Sequence, residues 1–140
     1  MKRKHIITLC IVIILSLFAT ACGNNKIDNI SDESKISSDA KHIGLGEKSF
    51  VFIVVDAAGS KTVFNISTNK KMVGEALKEH NLIDGEEGQF GLYVKTVNNI
   101  TYDYDKDGKY WAFYIDGKYA VSGIDKTEIK NGSTYMLKAE

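Results

Sequence analysis

The strongest fold signal in the sequence is a pair of strand-like segments joined by a two-residue turn. Residues 110–115 and 118–121 are rich in aromatic and β-branched side chains, and Asp116-Gly117 lies between them. An Asp-Gly pair suits a type I′ turn, because the twist of this turn matches the twist of the flanking strands. The pattern therefore predicts an antiparallel hairpin and a chain whose core includes a sheet.

Other segments extend this pattern to a mixed chain of strands and one helix. An unbroken apolar run of strand length is followed, after Gly59-Ser60, by a second strand-like run, and the apolar spacing then becomes helical. One helix packed on a small mixed β-sheet, a β-grasp-like α+β arrangement, covers these apolar faces economically. The predicted strands are residues 50–55, 62–66, 92–97, 110–115, 118–121 and 134–138, the predicted helix is residues 72–80, and the predicted loops are residues 84–88 and 103–109.

The first 22 residues have the pattern of a secretory signal. Lys2-Arg3-Lys4 precede an apolar run over residues 6–21 that is shorter than the roughly 20 apolar residues of a spanning helix. Small residues directly before Cys22 resemble the lipobox of bacterial lipoproteins, in which that cysteine is thioether-linked to diacylglycerol. We expect a signal peptide over residues 1–21 and a palmitate-bearing lipid anchor on Cys22 that holds the protein on the extracytoplasmic face of the cell membrane. The alternative is an uncleaved signal anchor in which Cys22 is incidental.

The remainder of the sequence divides into a polar segment and a domain. Residues 22–48 are dominated by Asn, Ser, Asp, Lys and Gly, which predicts a flexible spacer in which His42 is solvated. Residues 49–140 contain the only Trp and all seven Tyr, and we expect them to form one domain. The formal net charge is zero and no basic stripe is present, so the sequence does not favour a nucleic-acid partner.

Two features bear on catalysis and metal binding. The predicted domain has a single histidine, His80, no cysteine and no Gly-rich phosphate loop, which indicates a protein that is not an enzyme and requires no cofactor. Asp103, Asp105 and Asp107 match the first acidic positions of an EF-hand loop, but Tyr114 stands at the twelfth position, where a bidentate Glu is needed. A weak calcium site and a solvated turn both remain open for this stretch.

The aromatic side chains of the predicted hairpin are the main candidates for binding. Strand alternation puts Tyr110 and Tyr114 on one face and Trp111 and Phe113 on the other. One face must join the core, and the other would offer rings to an apolar small molecule or to a partner protein. The alternative is that both faces are covered and all the rings pack inside.

A family resemblance adds to this interpretation. Residues 110–120 (YWAFYIDGKYA), preceded by residues 94–100 (VKTVNNI) and 73–77 (VGEAL), resemble the transcobalamin-like C-terminal domain family. Asp116 and Asn99 stand where an Asn-Gly pair is usual in that family. The resemblance implies a β-grasp fold, and in the animal vitamin carriers the related domain covers one face of cobalamin together with a helical domain. For a bound corrinoid it implies contacts with the residues Tyr110, Trp111 and Tyr119.

The sequence therefore supports two functional hypotheses of different classes. The first is a lipid-anchored surface protein that captures a small molecule, such as a corrinoid or cobalamin-like ligand, and presents it to a membrane transporter. The second is a non-catalytic protein–protein interaction module at the cell surface, which would hold its partner through a sheet edge or through the same aromatic side chains.

Overall fold

Residues 39–140 are described by the structure, a computed structural model. The predicted signal peptide, Cys22 and most of the predicted spacer lie outside these residues. None of the helices within residues 39–140 is both long enough and apolar enough to cross a membrane. The elements are β1 (Lys41–Ile43), β2 (Lys48–Val55), β3 (Lys61–Thr68), α1 (Val73–Glu79), β4 (Ile83–Gly88), β5 (Gly91–Val97), β6 (Ile100–Thr101), α2 (Tyr104–Asp107), β7 (Trp111–Ile115), β8 (Lys118–Tyr119), a 3₁₀ helix (Ile124–Lys126) and β9 (Thr134–Ala139).

The larger of two sheets is mixed and has six strands in the order β1-β3-β2-β9-β7-β8. Strand β2 pairs antiparallel with β3 and parallel with β9, which returns to the middle of the sheet from the end of the chain. Strand β7 pairs antiparallel with β9 and with β8. The helix and the mixed sheet confirm the predicted α+β class, and the β2–β3 hairpin confirms the antiparallel pairing expected from sequence.

Alternation along β2 directs every second side chain to the core. Phe50, Phe52 and Val54 are buried, whereas Val51 and Ile53 on the opposite face are only half-buried. The buried face is covered by α1, which contributes its own buried Val, Ala and Leu side chains, and by the second sheet. The core therefore lies on one side of the six-stranded sheet, and this side also carries the groove described below.

The second sheet, in the order β4-β5-β6, includes a segment that the sequence predicted to be a loop. Residues 84–88 are rich in Gly and Glu, which do not favour strands, so that prediction was wrong. The backbone of β5 pairs with them from Ile83 to Gly88, with a bulge between Asp84 and Gly85. A side chain at Gly85 would overlap the Tyr93 carbonyl, so the missing Cβ permits this close pairing.

The large sheet also extends into the segment predicted to be a spacer. Lys41–Ile43 forms β1, an edge strand that runs parallel to β3. His42 lies in this strand rather than in a linker, and its exposed ring places Nε2 3.4 Å from the Asn65 Nδ2 atom. Backbone pairing with β3 orders this polar segment, although its side chains bury little apolar surface. The division of residues 1–38 into signal peptide and spacer stays a prediction.

Candidate functional site

An open groove of about 430 Å³ lies between three parts of the chain that are distant in sequence. The tip of the β4–β5 hairpin forms one wall, the β7–β8 hairpin forms the other, and the residues that lead into the 3₁₀ helix close one end. Its size falls within the range of small-molecule sites. The aromatic residues that line it are Phe90, Tyr93, Tyr110, Trp111, Phe113 and Tyr119.

Trp111 forms part of the groove floor and is held firmly in place. The side chain is only 6% exposed, and its ring packs against Tyr102 with a centroid separation of 5.1 Å. Its Nε1–H donates to the Lys95 carbonyl oxygen at 3.1 Å. Because the indole N–H already has a partner in the protein, Trp111 offers the groove an apolar surface rather than a hydrogen-bond donor.

Tyr119 and Tyr110 complete the set of groove residues that the sequence singled out. Tyr119, on β8, is 59% exposed at the rim, and its ring meets Tyr114 edge-on with a centroid separation of 5.4 Å. Tyr110 is half-buried, and the adjacent Tyr119 phenol, together with partial burial and the Glu140 carboxylate, raises the pKa of Tyr110. The structure thus brings Tyr110, Trp111 and Tyr119 to one groove, while their role in binding stays a prediction.

The two faces of β7 do not divide into one buried face and one exposed face, as the sequence predicted. Trp111 and Phe113 face the core and also line the groove, so one surface of the strand serves both purposes. Tyr114 lies on the opposite face and is half-buried, beneath the edge of Tyr119. The most exposed ring of the hairpin belongs to Tyr119, on the short edge strand.

Phe90 is a groove residue that the sequence reasoning missed. It lies at the tip of the β4–β5 hairpin with 83% of its surface exposed, and its carbonyl oxygen accepts a hydrogen bond from Lys126 Nζ at 3.1 Å. An aromatic residue in a Gly-rich turn, between Gly88 and Gly91, was the available signal. Such a turn positions a large apolar side chain where neighbouring side chains cannot bury it.

Asp125, in the 3₁₀ helix, was also missed and lies directly behind the groove wall. Its Oδ1 atom is buried and has no hydrogen-bond partner among the described residues. A Cβ at Gly91 would lie 2.7 Å from its Oδ2 atom, and a Cβ at Gly123 would lie 2.6 Å from its Oδ1 atom. No sequence pattern marks this position, because Gly91 comes from the distant β4–β5 hairpin.

The acidic stretch forms a capped helical turn, α2, rather than the predicted loop. Asp103 Oδ1 accepts from the Asp105 backbone N–H at 3.1 Å, and Asp107 Oδ2 accepts from the Asp103 N–H at 2.8 Å. Desolvation acts to raise the pKa of Asp103, but the bond from Asp105 and the charges of Lys95 and Lys106 lower it overall. Within residues 39–140, no three His, Cys, Asp or Glu side chains converge as metal ligands would.

The described residues thus form a small α+β domain with an aromatic-lined groove. Residues 71–139 match a family model described as a domain of unknown function, DUF4430. The chain is 31% identical to a protein of known crystal structure from Ruminococcus gnavus ATCC 29149, described as a candidate metal-binding protein. The similarity covers 67% of this chain and 97% of that protein, with a TM-score of 0.64. The chain therefore belongs to the same family as this Ruminococcus gnavus protein.

A more distant similarity links the fold to a corrinoid-binding protein. Haptocorrin in complex with Cbi, the corrinoid cobinamide, matches 70% of this chain with a TM-score of 0.50 and 16% identity. At this identity the similarity shows the fold alone, and the match spans 26% of haptocorrin. No curated protein matches the chain. These similarities fit the resemblance to transcobalamin-like domains.

Proposed function

We propose that the described residues form a transcobalamin-like domain of β-grasp topology that binds a small molecule in the aromatic groove, and that this ligand is a corrinoid. The observation that carries the proposal is the convergence of Trp111, Tyr110 and Tyr119 with the exposed Phe90 around one groove. The occurrence of a similar fold in haptocorrin bound to Cbi supports the choice of ligand class. The domain binds and releases its ligand without catalysis.

The groove residues offer a ligand different kinds of contact. Trp111 presents an apolar floor, while Tyr119 presents an exposed ring and hydroxyl at the rim, where it can meet both an apolar edge and a polar arm of a ligand. Phe90 stands on the facing wall and can pack over a ligand from the other side. An open groove of about 430 Å³ receives one side of a corrinoid and leaves the rest uncovered.

The proposed location and partner of this protein rest on the sequence of residues 1–22. Lys2-Arg3-Lys4, the apolar run and Cys22 support a lipid anchor at the extracytoplasmic face of the membrane. A protein held there through a spacer can pass a captured ligand to a membrane transporter. It requires no cofactor for this task, since the corrinoid is its cargo.

Equilibrium dialysis of the full chain against cobinamide tests the proposed ligand. We expect saturable binding, with affinity reduced about tenfold in Phe90→Ala and in Tyr119→Ala, because each change removes a large contact surface. Leu45→Ala is the matched control, since Leu45 is 92% exposed and lies outside the groove. An absence of binding at millimolar cobinamide overturns the proposal. An equal loss of cobinamide affinity in all three variants also overturns it.

Labelling with radioactive palmitate tests the anchor separately. We expect label on the wild-type protein in the membrane fraction and none on Cys22→Ser. The anchor is overturned if both proteins are labelled equally, and this result leaves the proposal about the groove untouched.

The second hypothesis, a protein–protein interaction module, is favoured by one observation. Phe90, Tyr119 and the fully exposed Val121 are large apolar side chains on or beside the groove rim, and exposed apolar patches mark interaction sites. Surface crosslinking distinguishes the interaction module from the corrinoid-binding protein, and it is carried out on cells that express the wild type or Phe90→Ala. A crosslinked partner that depends on Phe90, together with no cobinamide binding, favours the interaction module.

A further inference from the structure

The carboxylate of Asp125 occupies an unusual position behind the wall of the groove. Its Oδ1 atom is buried and lacks a hydrogen-bond partner within residues 39–140, although the residue as a whole is half-buried. In the same part of the chain, no lysine forms an ion pair with it. Folded proteins pair nearly all such atoms, because burying an unpaired carboxylate oxygen is costly.

The surrounding backbone is shaped to leave room for this carboxylate. Cβ atoms at Gly91 and Gly123 would lie 2.6–2.8 Å from its oxygens, closer than real side-chain atoms come. Gly74, on α1, lets the helix approach the Asp125 backbone, since a Cβ there would lie 2.9 Å from the Asp125 Cα. Two glycines thus flank a carboxylate whose Oδ1 atom gains no hydrogen bond from the described residues, and Gly74 brings α1 against the backbone of the same residue.

Two of these glycines also line the groove. Gly91 and Gly123 face the ligand surface on one side and the Asp125 carboxylate on the other. The hairpin tip above them is tied to the 3₁₀ helix by a hydrogen bond from exposed Lys126 to the Phe90 carbonyl. Because Gly91 and Gly123 carry no side chains, a ligand group that reaches their backbone in the groove comes close to the Asp125 carboxylate.

We propose that Asp125 is a specificity-determining residue of the groove, and that its Oδ1 atom accepts a hydrogen bond from an amide N–H of the bound ligand. This inference rests on the proposed function and names the chemistry that the ligand must present. A ligand whose arms end in amides supplies the missing donor, whereas a ligand whose arms end in carboxylates brings a second negative charge against Asp125. The groove therefore selects amide-bearing ligands over acidic ones of the same shape.

The conservative variant Asp125→Asn separates this role from a structural one. Asn removes the negative charge from a group whose Oδ1 atom is buried without a hydrogen-bond donor, so we expect the melting temperature of the ligand-free full chain to rise by about 2–4 °C. Affinity for cobinamide falls about tenfold, because a hydrogen bond to a charged acceptor is replaced by a weaker one to a neutral amide oxygen. A group with a purely structural role would instead lower stability and affinity together.

The test compares two probes and a control variant. The probes are cobinamide and cobyrinic acid, a corrinoid whose arms end in carboxylates; wild type prefers cobinamide at least tenfold, and Asp125→Asn narrows this preference. Asp56→Asn is the control, because Asp56 Oδ1 already accepts from the Ala58 and Ser60 N–H groups at 2.9 and 2.8 Å, outside the groove. Asp56→Asn should leave the preference for cobinamide unchanged and should not raise the melting temperature, because the Asp56 carboxylate already has hydrogen-bond donors.

The outcomes separate the inference from the function on which it rests. If wild type binds cobinamide and Asp125→Asn binds it equally well, the role of Asp125 is overturned while the groove survives. A lower melting temperature in Asp125→Asn also overturns it, since this means that the carboxylate stabilises the ligand-free fold. If wild type binds neither probe, the proposed function and this inference fail together.

Discussion

The Tyr114 hydroxyl donates a hydrogen bond to Glu140 Oε1 across 2.6 Å, and this contact joins β7 to the last residue of the chain. The Glu140 side chain also lies 3.1 Å from Lys138 Nζ and 3.5 Å from the Tyr110 hydroxyl. The hydrogen bond to Glu140 raises the pKa of Tyr114 to about 12, and desolvation and the charge of the carboxylate contribute smaller shifts in the same direction. The same hydrogen bond lowers the pKa of Glu140, and the hydrogen bond from Lys138 is the next largest cause of this shift. These side chains support the hairpin that forms one wall of the groove.

This contact predicts a pH-dependent contribution to stability. The pKa of Tyr114 is raised on folding, so its contribution is complete below pH 10 and is lost as the pH rises toward about 12. The pKa of Glu140 is lowered, so its contribution is present above the ordinary value of 4.5 and is lost as the pH falls through the lowered folded-state value. Absorbance titration should show Tyr114 ionising nearer pH 10 in Glu140→Gln, and urea unfolding should show both pH dependences weakened. Unchanged tyrosine titration in this variant would contradict the assignment.

Tyr135→Phe tests a buried hydrogen-bonding hydroxyl. Tyr135 is fully buried; its hydroxyl accepts from the Lys130 N–H at 2.9 Å and donates to the Glu128 carbonyl at 3.2 Å. Without the hydroxyl, two backbone groups lose their hydrogen-bond partner. We therefore expect urea unfolding to show a free energy of unfolding that is lower by about 1–3 kcal/mol. Tyr104→Phe, at a 59% exposed residue, should change stability by less than about 0.5 kcal/mol. Equal effects of the two changes would contradict the structure.

Gly117 tests the turn that the sequence identified first. Asp116 and Gly117 have φ values of 48° and 77°, as a type I′ turn requires, and no described atom lies within 4 Å of a Cβ built on Gly117. Any cost of a side chain there is therefore conformational. Gly117→Val should destabilise the protein by about 1–2 kcal/mol, and Gly117→Asn by clearly less, because Asn tolerates positive φ. Thermal unfolding measures the difference, and equal values for Asn and Val would argue against this turn.

Trp111→Phe tests whether the groove floor is also part of the core. The smaller ring leaves a void and removes the hydrogen bond to the Lys95 carbonyl, which keeps the Tyr102 N–H as a second donor at 2.9 Å. We expect the free energy of unfolding to fall by about 2 kcal/mol, most of it from lost packing. Circular dichroism measures the unfolding, because the variant has no Trp fluorescence once the only Trp is replaced. Tyr119→Phe, at the exposed rim, should leave stability nearly unchanged. If Trp111→Phe has the same free energy of unfolding as the wild type, the indole does not stabilise the core.

Local patterns predicted much of the fold but missed elements that depend on distant pairing. The β7–β8 hairpin and the β2–β3 hairpin were predicted because alternation and turn residues lie within a few positions of one another. Strand β4 was not predicted, because its Gly and Glu residues favour no strand and only pairing with β5 orders them. Strand β1 was missed for the same reason, since its partner lies more than 20 residues away.

The candidate site shows the same division. Tyr110, Trp111 and Tyr119 could be selected from sequence because one hairpin carries all of them. Phe90 and Asp125 could not be selected, because their significance comes from neighbours that are distant in sequence: Lys126, 36 residues away, approaches the Phe90 carbonyl, and Gly91 flanks the Asp125 carboxylate. No local pattern encodes such contacts.

The sequence by itself determined the local conformations, because turn chemistry at Asp116-Gly117 and the spacing of apolar residues act over a few positions. Only the tertiary structure decided which rings share a groove and which carboxylate lies behind it. These arrangements depend on how the β4–β5 hairpin, the β7–β8 hairpin and the 3₁₀ helix pack together, and the energy of that packing is shared among residues far apart in the chain.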